Sequence, residues 1–514
     1  MSGYLRRLAT TGAAYTGASV LSKLIAVALL PLYTRYLTPA DYGAAEVLFS
    51  AVVAASIVVR LGAIEALLRF YYREGENPGS VVRTSFAALF WAATAGALVA
   101  LPFAEPISEA LLDRPAAGLV RIAIGGLWVL TLLEFLLTIF RLEERARAYF
   151  LTTIANVMVT IPITVALVVG AGEGARGLLL GSYGTGAVFV VGLIFLHRRR
   201  LALVWEGPLL RRLMRFGLPT MPAELSLYSL NFIDRIILVR SAGLAEAGLY
   251  SLAIKFGQGV NVLVRGFQLA WPPLAYSIRD DDEARRAYSI VVTLFTASCA
   301  FVVTGMWLLA RWIVRALAAP EFYGSFKAVG LVTTGVTLYA LYMVLVVILG
   351  RTGRTEFNFP ATIAATIVNV ALNLALVPSL GIVGAGLALV VSYLVVLVLM
   401  YVFTQRLFPV PYEWGRLARV VLVSAALIGI GELVMPTEGA LGLVGRLALV
   451  LLYPALLLLS GFFTEGERGW IALLRRPQEL ARRLRVLRES APEAPGSVPE
   501  VFEAEAMDED SLRQ

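Results

Sequence analysis

Ionisable residues stand inside long apolar runs of this chain: Lys23, Arg60, Glu65, Glu134, Glu224, Asp234, Arg235, Lys255 and Arg265. Such a group at bilayer depth costs at least about 2.5–3.5 kcal/mol, so it faces a cavity or a partner. Helical spacing sorts them into stripes. Tyr15, Ser19 and Lys23 form one; Glu46, Ser56 and Arg60 roughly share a second. Glu224, Tyr228, Asn231 and Arg235 form a third, and Gln258, Asn261, Arg265 and Gln268 a fourth. All four stripes are expected to face one water-filled cavity. Arg60 and Arg265 then suit a phosphate or diphosphate, because guanidinium forks bind phosphate oxygens through charge-assisted hydrogen bonds. Lys23, Lys255 and Arg235 are expected to assist, and Arg69 either joins them or snorkels to the interface. Glu65, Glu224 and Asp234 are the candidates for coupling a proton or sodium ion. The competing reading is internal ion pairing, of Arg60 with Glu65 or Glu46 and of Asp234 with Lys23 or Lys255.

No catalytic residue, metal site or cofactor is expected. The chain has one cysteine, Cys299, and one histidine, His197 in a basic loop. It has no phosphate loop, zinc-type histidine pair or nucleophile elbow.

The elements that position these residues are membrane helices. Of 514 residues, 59% are hydrophobic and 16% charged, and the mean hydropathy is +0.78. Soluble domains carry roughly a quarter charged residues. A helix crossing a core of about 30 Å needs about 20 mostly apolar residues. By that rule the chain is an all-α integral membrane protein with about fourteen transmembrane helices. They lie near 13–36, 44–69, 81–103, 119–140, 149–170, 177–196, 216–239, 246–271, 288–313, 327–350, 358–378, 381–404, 416–435 and 443–463. The run Leu21 to Leu37 continues into a full span, so no cleaved signal is expected. Loops that share a side with Met1 each carry at least two basic residues, as in Arg141, Arg145 and Arg147. By the positive-inside rule both termini are expected in the cytoplasm. Arginines at membrane borders also account for the net charge of +8, so no nucleic acid partner is expected.

Three local matches return in the same order about 205–213 residues apart. Arg35, Asp41 and Gly43 match Arg240, Glu246 and Gly248, and Arg60 maps onto Arg265. Gly174-Ala175 with Ser182-Tyr183 matches Gly384-Ala385 with Ser392-Tyr393. The run from Thr153 to Val157 matches that from Thr366 to Val370. Six spans per copy give two parallel six-helix repeats about an axis along the membrane normal. The expected division is 1–196 for the first lobe, 197–215 for a basic cytoplasmic linker and 216–404 for the second lobe. Helices 13 and 14 occupy 405–463. The tail, 464–514, reads as a basic amphipathic stretch followed by acidic, disordered sequence. The linker's Leu209, Leu210 and Leu213 among arginines suit a helix on an anionic leaflet.

The turn from Pro31 to Gly43, Leu61-Gly62 to Tyr71, Phe216 to Pro219, Asp234 to Leu238 and Gly248 to Ser251 together resemble Wzx-type polysaccharide flippases. These are MATE-like members of the MOP (multidrug/oligosaccharidyl-lipid/polysaccharide) superfamily. The resemblance implies two six-helix lobes around a cavity, alternating access and a place in the bacterial cytoplasmic membrane. It implies an undecaprenyl-diphosphate-linked glycan as substrate, membrane lipids around it, and a polysaccharide polymerase and glycosyltransferases as partners. Helices 13 and 14 form a lateral groove suited to a lipid tail in related lipid flippases. Two other readings stand beside it: a MATE-type ion-coupled antiporter of small drugs or metabolites, and a scaffold acting through the tail.

Overall fold

The computed structural model describes residues 27–464 apart from 74, 230 and 231. Lys23, Asn231 and the tail stretches lie outside the described residues. All regular structure among the described residues is helical. Ten helical stretches are long and apolar enough to cross a membrane, and the chain is a multi-pass membrane protein.

The first repeat comprises α1 (Leu30–Tyr36), α2 (Pro39–Arg60), α3 (Ala63–Phe70), α4 (Pro78–Ala100), α5 (Ala104–Leu112), α6 (Ala117–Leu142), α7 (Ala146–Val165) and α8 (Gly174–His197). Next come α9 (Gly207–Gly217), α10 (Met221–Ser229), α11 (Ile233–Gly257), α12 (Asn261–Ser277), α13 (Asp281–Leu317), α14 (Phe326–Arg351) and α15 (Asn358–Leu407). The last two are α16 (Trp414–Leu433) and α17 (Gly439–Leu459).

Spans two to fourteen of the expected set are visible once the breaks are read; the first, 13–36, is described only from residue 27 on. At 1.5 Å per residue the 50 residues of α15 would reach about 75 Å, far beyond one bilayer. Its non-helical Gly381 (φ 54°, ψ −131°) turns it into a hairpin of two spans. In α11, Gly243 (φ 88°, ψ 170°) does the same. The Tyr250 hydroxyl reaches the Asp234 carboxylate at 2.7 Å, a contact that 16 residues of straight helix could not make. Span seven is therefore α10 plus the first arm of α11; span eight is the second arm plus α12. Span two, expected as one rod, breaks at Leu61 (φ 50°) and Gly62 (φ 69°) into α2 and α3. Two successive left-handed residues cannot belong to a right-handed helix.

The repeat is legible in its contacts. Gly43 and Gly248 face each other where α2 crosses α11. A Cβ on Gly43 would stand 2.1 Å from the Leu244 carbonyl oxygen, and one on Gly248 2.0 Å from that of Pro39. Only glycine permits this approach of two backbones. Tyr183 packs on Gly126 and Tyr393 on Gly335, so the matched tyrosines occupy matched seats. Thr160 donates to Asn156 at 3.1 Å, and Asn373 donates to Asn369 at 3.2 Å, repeating one internal pair. One sequence match shifts. The Asp41 carboxyl lies against Gly174 and that of Glu246 against Gly381; the equivalent of Gly174 is thus Gly381, three residues before Gly384.

The linker helix α9 also differs from expectation. Leu209 and Leu213 are buried in the protein's own core, against a cluster that includes Ile64, Leu67 and Phe86. Arg211, Arg212 and Arg215 point outward. The apolar residues exposed here are Leu203, Val204 and Trp205, ahead of the helix.

Helices α16 and α17 are fastened to α13 by a buried arginine. Arg446 has no exposed surface; its Nη1 donates to Glu432 at 2.5 Å and to the Leu308 carbonyl at 3.4 Å. Glu432 also faces Arg311 at 3.7 Å. Removing one partner of such a pair strands the other. Glu432→Ala is expected to cost about 3 kcal/mol, whereas Glu432→Leu with Arg446→Met should be near neutral. Thermal melts of the detergent-purified variants check this; equal melting points for the single and double variants would contradict the staple.

Candidate functional site

Arg60 is the last residue of α2, just before the Leu61–Gly62 break. A cation suits this end of a helix, where carbonyl dipoles converge. Its Nη1 donates to Glu134 of α6 at 2.9 Å and its Nη2 to Glu224 of α10 at 2.7 Å. The guanidinium thus ties the first repeat to the start of span seven. Glu65, on the first turn of α3, adds a third carboxylate. Its Oε2 is buried and has no hydrogen-bond partner among the described residues, and the same holds for Arg60 Nε. One turn before Arg60, Ser56 meets Thr131 of α6 at 3.1 Å. The break itself is seated on Gly217 at the end of α9, where a Cβ on Gly62 would stand 2.0 Å from the Gly217 carbonyl oxygen.

A second polar cluster lies nearer the Gly43 crossing. Lys255 Nζ pairs with Glu46 of α2 at 2.8 Å. Arg235, 8% exposed, donates to the Ser50 hydroxyl and lies 3.5 Å from the Glu46 carbonyl oxygen. Asp234, with no exposed surface, accepts from Tyr250 at 2.7 Å and from the Arg235 backbone N–H at 2.9 Å. Three side chains of α2, Glu46, Ser50 and Arg60, therefore make its polar contacts to spans seven and eight.

The structure brings together Arg60 with Glu224, and Lys255 with Arg235 around Glu46. Arg69 stands apart: it is exposed, and its guanidinium lies 4.4 Å above the Phe216 ring. Arg265 lies on α12, and Lys23 is outside the described residues. Ion pairing does occur, but with other partners than the sequence suggested. Arg60 takes Glu134 and Glu224 in place of Glu65 or Glu46, and among the described residues Asp234 takes the Tyr250 phenol while Lys255 pairs with Glu46. Arg60, expected to clamp a phosphate, stands among three carboxylates, Glu134, Glu224 and Glu65. Glu134 was visible as a charge on span four, but nothing in its spacing announced a partner 74 residues away.

Two cavities stand out, the first beside the Glu46–Lys255 pair and the second apart from both clusters. One of about 240 Å³ lies between the first repeat and α11, lined by Tyr33, Tyr42, Glu46, Thr160, Ser182 and Lys255. The other, about 590 Å³, is an apolar groove between α13 and α17, lined by Phe301, Tyr453, Leu457 and Phe462.

Residues 32–266 match a family model described as polysaccharide biosynthesis protein. The succinoglycan biosynthesis transport protein ExoT of Rhizobium meliloti (strain 1021) is 26% identical over 332 residues. That match covers 61% of this chain and 64% of ExoT, so it spans less than two thirds of the relative's length. Among solved structures, the lipid II flippase MurJ in an inward closed conformation superposes with a TM-score of 0.66. The identity is 13%, covering 85% of this chain and 96% of that one. An inward-facing multidrug resistance MATE family transporter of the MOP superfamily gives 0.63 at 16% identity, covering 78% and 96%. The resemblance noted in the sequence holds: the chain is similar to polysaccharide biosynthesis proteins and has the fold of the MOP-superfamily transporters.

Proposed function

We propose that this chain, built on the MOP-superfamily transporter fold, moves an undecaprenyl-diphosphate-linked oligosaccharide across the bacterial cytoplasmic membrane. Movement runs from the inner to the outer face, by alternating access of two lobes, 1–196 and 216–404, joined by 197–215. Both termini are cytoplasmic, which puts the Gly43 crossing at the outer end and Arg60 in the inner half. The observation that carries the reading is Arg60 itself. Its guanidinium fork stands between α6 and α10, and on the proposed topology a lipid-linked diphosphate would arrive there from the inner face. The similarity to a succinoglycan transport protein supports a glycan cargo. The apolar groove between α13 and α17 supports a lipid tail that stays outside the polar cavity. An inside-negative potential favours outward movement of the anion by about 2.3 kcal/mol per charge per 100 mV.

The test is native mass spectrometry of the purified protein with co-extracted lipids, wild type beside Arg60→Gln/Arg265→Gln. A polyprenyl-diphosphate glycan retained by the wild type and lost by the variant is the expected result. Retention by both moves the anion site away from these arginines. The three carboxylates around Arg60 favour a second reading, an ion-coupled antiporter of small cations. Drug-dependent ion flux in proteoliposomes, with no lipid retained, would select it.

A further inference from the structure

We propose that Glu134 and Glu224 occupy, in the empty protein, the guanidinium positions that the substrate's diphosphate takes when it binds. The inference rests on the flippase reading and names a competitor at that same site. Both terminal nitrogens of Arg60 are committed, each to a carboxylate from a different lobe. The three side chains differ in freedom. That of Arg60 is 11% exposed, whereas those of Glu134 and Glu224 are each 40% exposed. The arginine is fixed in the protein, and the glutamates can turn into water. A carboxylate and a phosphate oxygen pair satisfy the same planar fork, so one anion can replace the other without moving Arg60.

Two consequences follow from the charges present. The groups facing Glu134 are Arg60, Glu224, Arg141 and Glu65, and those facing Glu224 are Arg60, Glu65 and Glu134. Arg141 is already hydrogen-bonded to Thr138 at 2.6 Å. Helix α15, packed on α10 through Thr366 and Ser226, brings hydroxyls there rather than charge. Displaced glutamates would thus stand beside a diphosphate and a third carboxylate, with Arg141 the one further cation among the described groups that face them, and they take up protons. Losing Glu224 from Arg60 also removes the ion pair between α2 and α10, one of the links between lobes at this end beside the Gly62–Gly217 contact. Binding and release of the inner contact become one event.

The experiment measures binding of a synthetic polyprenyl-diphosphoryl monosaccharide to the full chain in detergent, from about pH 5.5 to about pH 8.5; its diphosphate diester does not titrate in that range. Wild-type affinity should fall by up to about tenfold per pH unit for each proton taken up, and binding in weakly buffered solution should consume protons. Glu134→Gln/Glu224→Gln should bind about tenfold or more tightly at the alkaline end, with a flat pH profile. Glu224→Gln alone keeps the hydrogen bond through its amide oxygen and should show half of the effect, which guards against a folding defect in the double variant. Arg60→Gln should bind weakly at every pH. If the glutamine variants match the wild type in affinity and pH profile while Arg60→Gln binds weakly, the glutamates are structural ties; this inference is then overturned and the flippase reading stands. If the wild type binds the lipid at no pH, both are overturned.

Discussion

Gly43→Val should abolish transport and leave the bundle open at the α2–α11 crossing. The Cβ of any residue at 43 would stand 2.1 Å from the Leu244 carbonyl oxygen and 2.8 Å from the Gly248 backbone nitrogen. Both obstacles are main chain, so no side chain can swing aside. Helices α2 and α11 must separate, and with them the edge contact between Tyr42 and Phe322, whose rings stand 5.9 Å apart. The hydrogen bond from the Ala319 N–H to the Thr34 hydroxyl at 3.0 Å would be stretched as well. Overpacking of this kind costs about 1–3 kcal/mol. A cost that falls on the state in which this crossing is made shifts the ratio of closed to open by up to about a hundredfold. The chain's one cysteine, Cys299, is fully buried, so a probe cysteine can be introduced without removing it. In a Leu244→Cys background, a membrane-impermeant maleimide should label the Gly43→Val protein in cells quickly and the Gly43 protein slowly. Gly248→Val should behave alike, and Gly43→Ala should fall between. Unchanged labelling together with unchanged flux would mean that this crossing does not open during transport.

Arg60→Lys should lower transport about a hundredfold although it keeps the charge. The guanidinium spans two carboxylates at once, 2.9 Å and 2.7 Å away on different helices. A single ammonium is a point donor and cannot hold both in a planar fork. The same geometry is what a diphosphate needs, and a misplacement of about 1 Å at such a site costs on the order of a hundredfold. Flux of a fluorescent polyprenyl-diphosphate analogue in proteoliposomes reads the effect. Wild-type flux in Arg60→Lys would reduce the role of Arg60 to charge alone.

These two sites differ in how far the sequence announced them. The Gly43–Gly248 match was plain because the turn residues around it, Arg35 and Asp41 against Arg240 and Glu246, recur at fixed spacing. Hydropathy and loop charge likewise marked the spans, since burial in lipid constrains composition over about 20 residues. What escaped were the breaks. Leu61 carries a left-handed backbone without being glycine, and an apolar run gives no hint of that. The stripe from Glu224 to Arg235 was drawn on a continuous helix, but Phe232 is a turn residue and α11 begins at Ile233. The partners of Arg60 escaped for another reason. Side-chain pairs across helices depend on rotation and tilt, which a hydrophobic pattern of low amphipathicity leaves open. So the sequence could rank Arg60 as a site residue and still assign it the wrong carboxylates.

The meeting of Gly43 with Gly248 has a consequence for how the chain can be divided. A residue that touches its own equivalent lies on the symmetry axis, which is the defining property of an isologous interface. Each six-helix half therefore carries one side of a self-complementary surface, centred on a glycine and on the backbone of the following turn. Made as a separate polypeptide, a half would present that surface to a second copy of itself as readily as to its natural mate. The linker that joins the halves removes this ambiguity by proximity: it holds unlike halves at an effective concentration that free copies in a membrane do not reach.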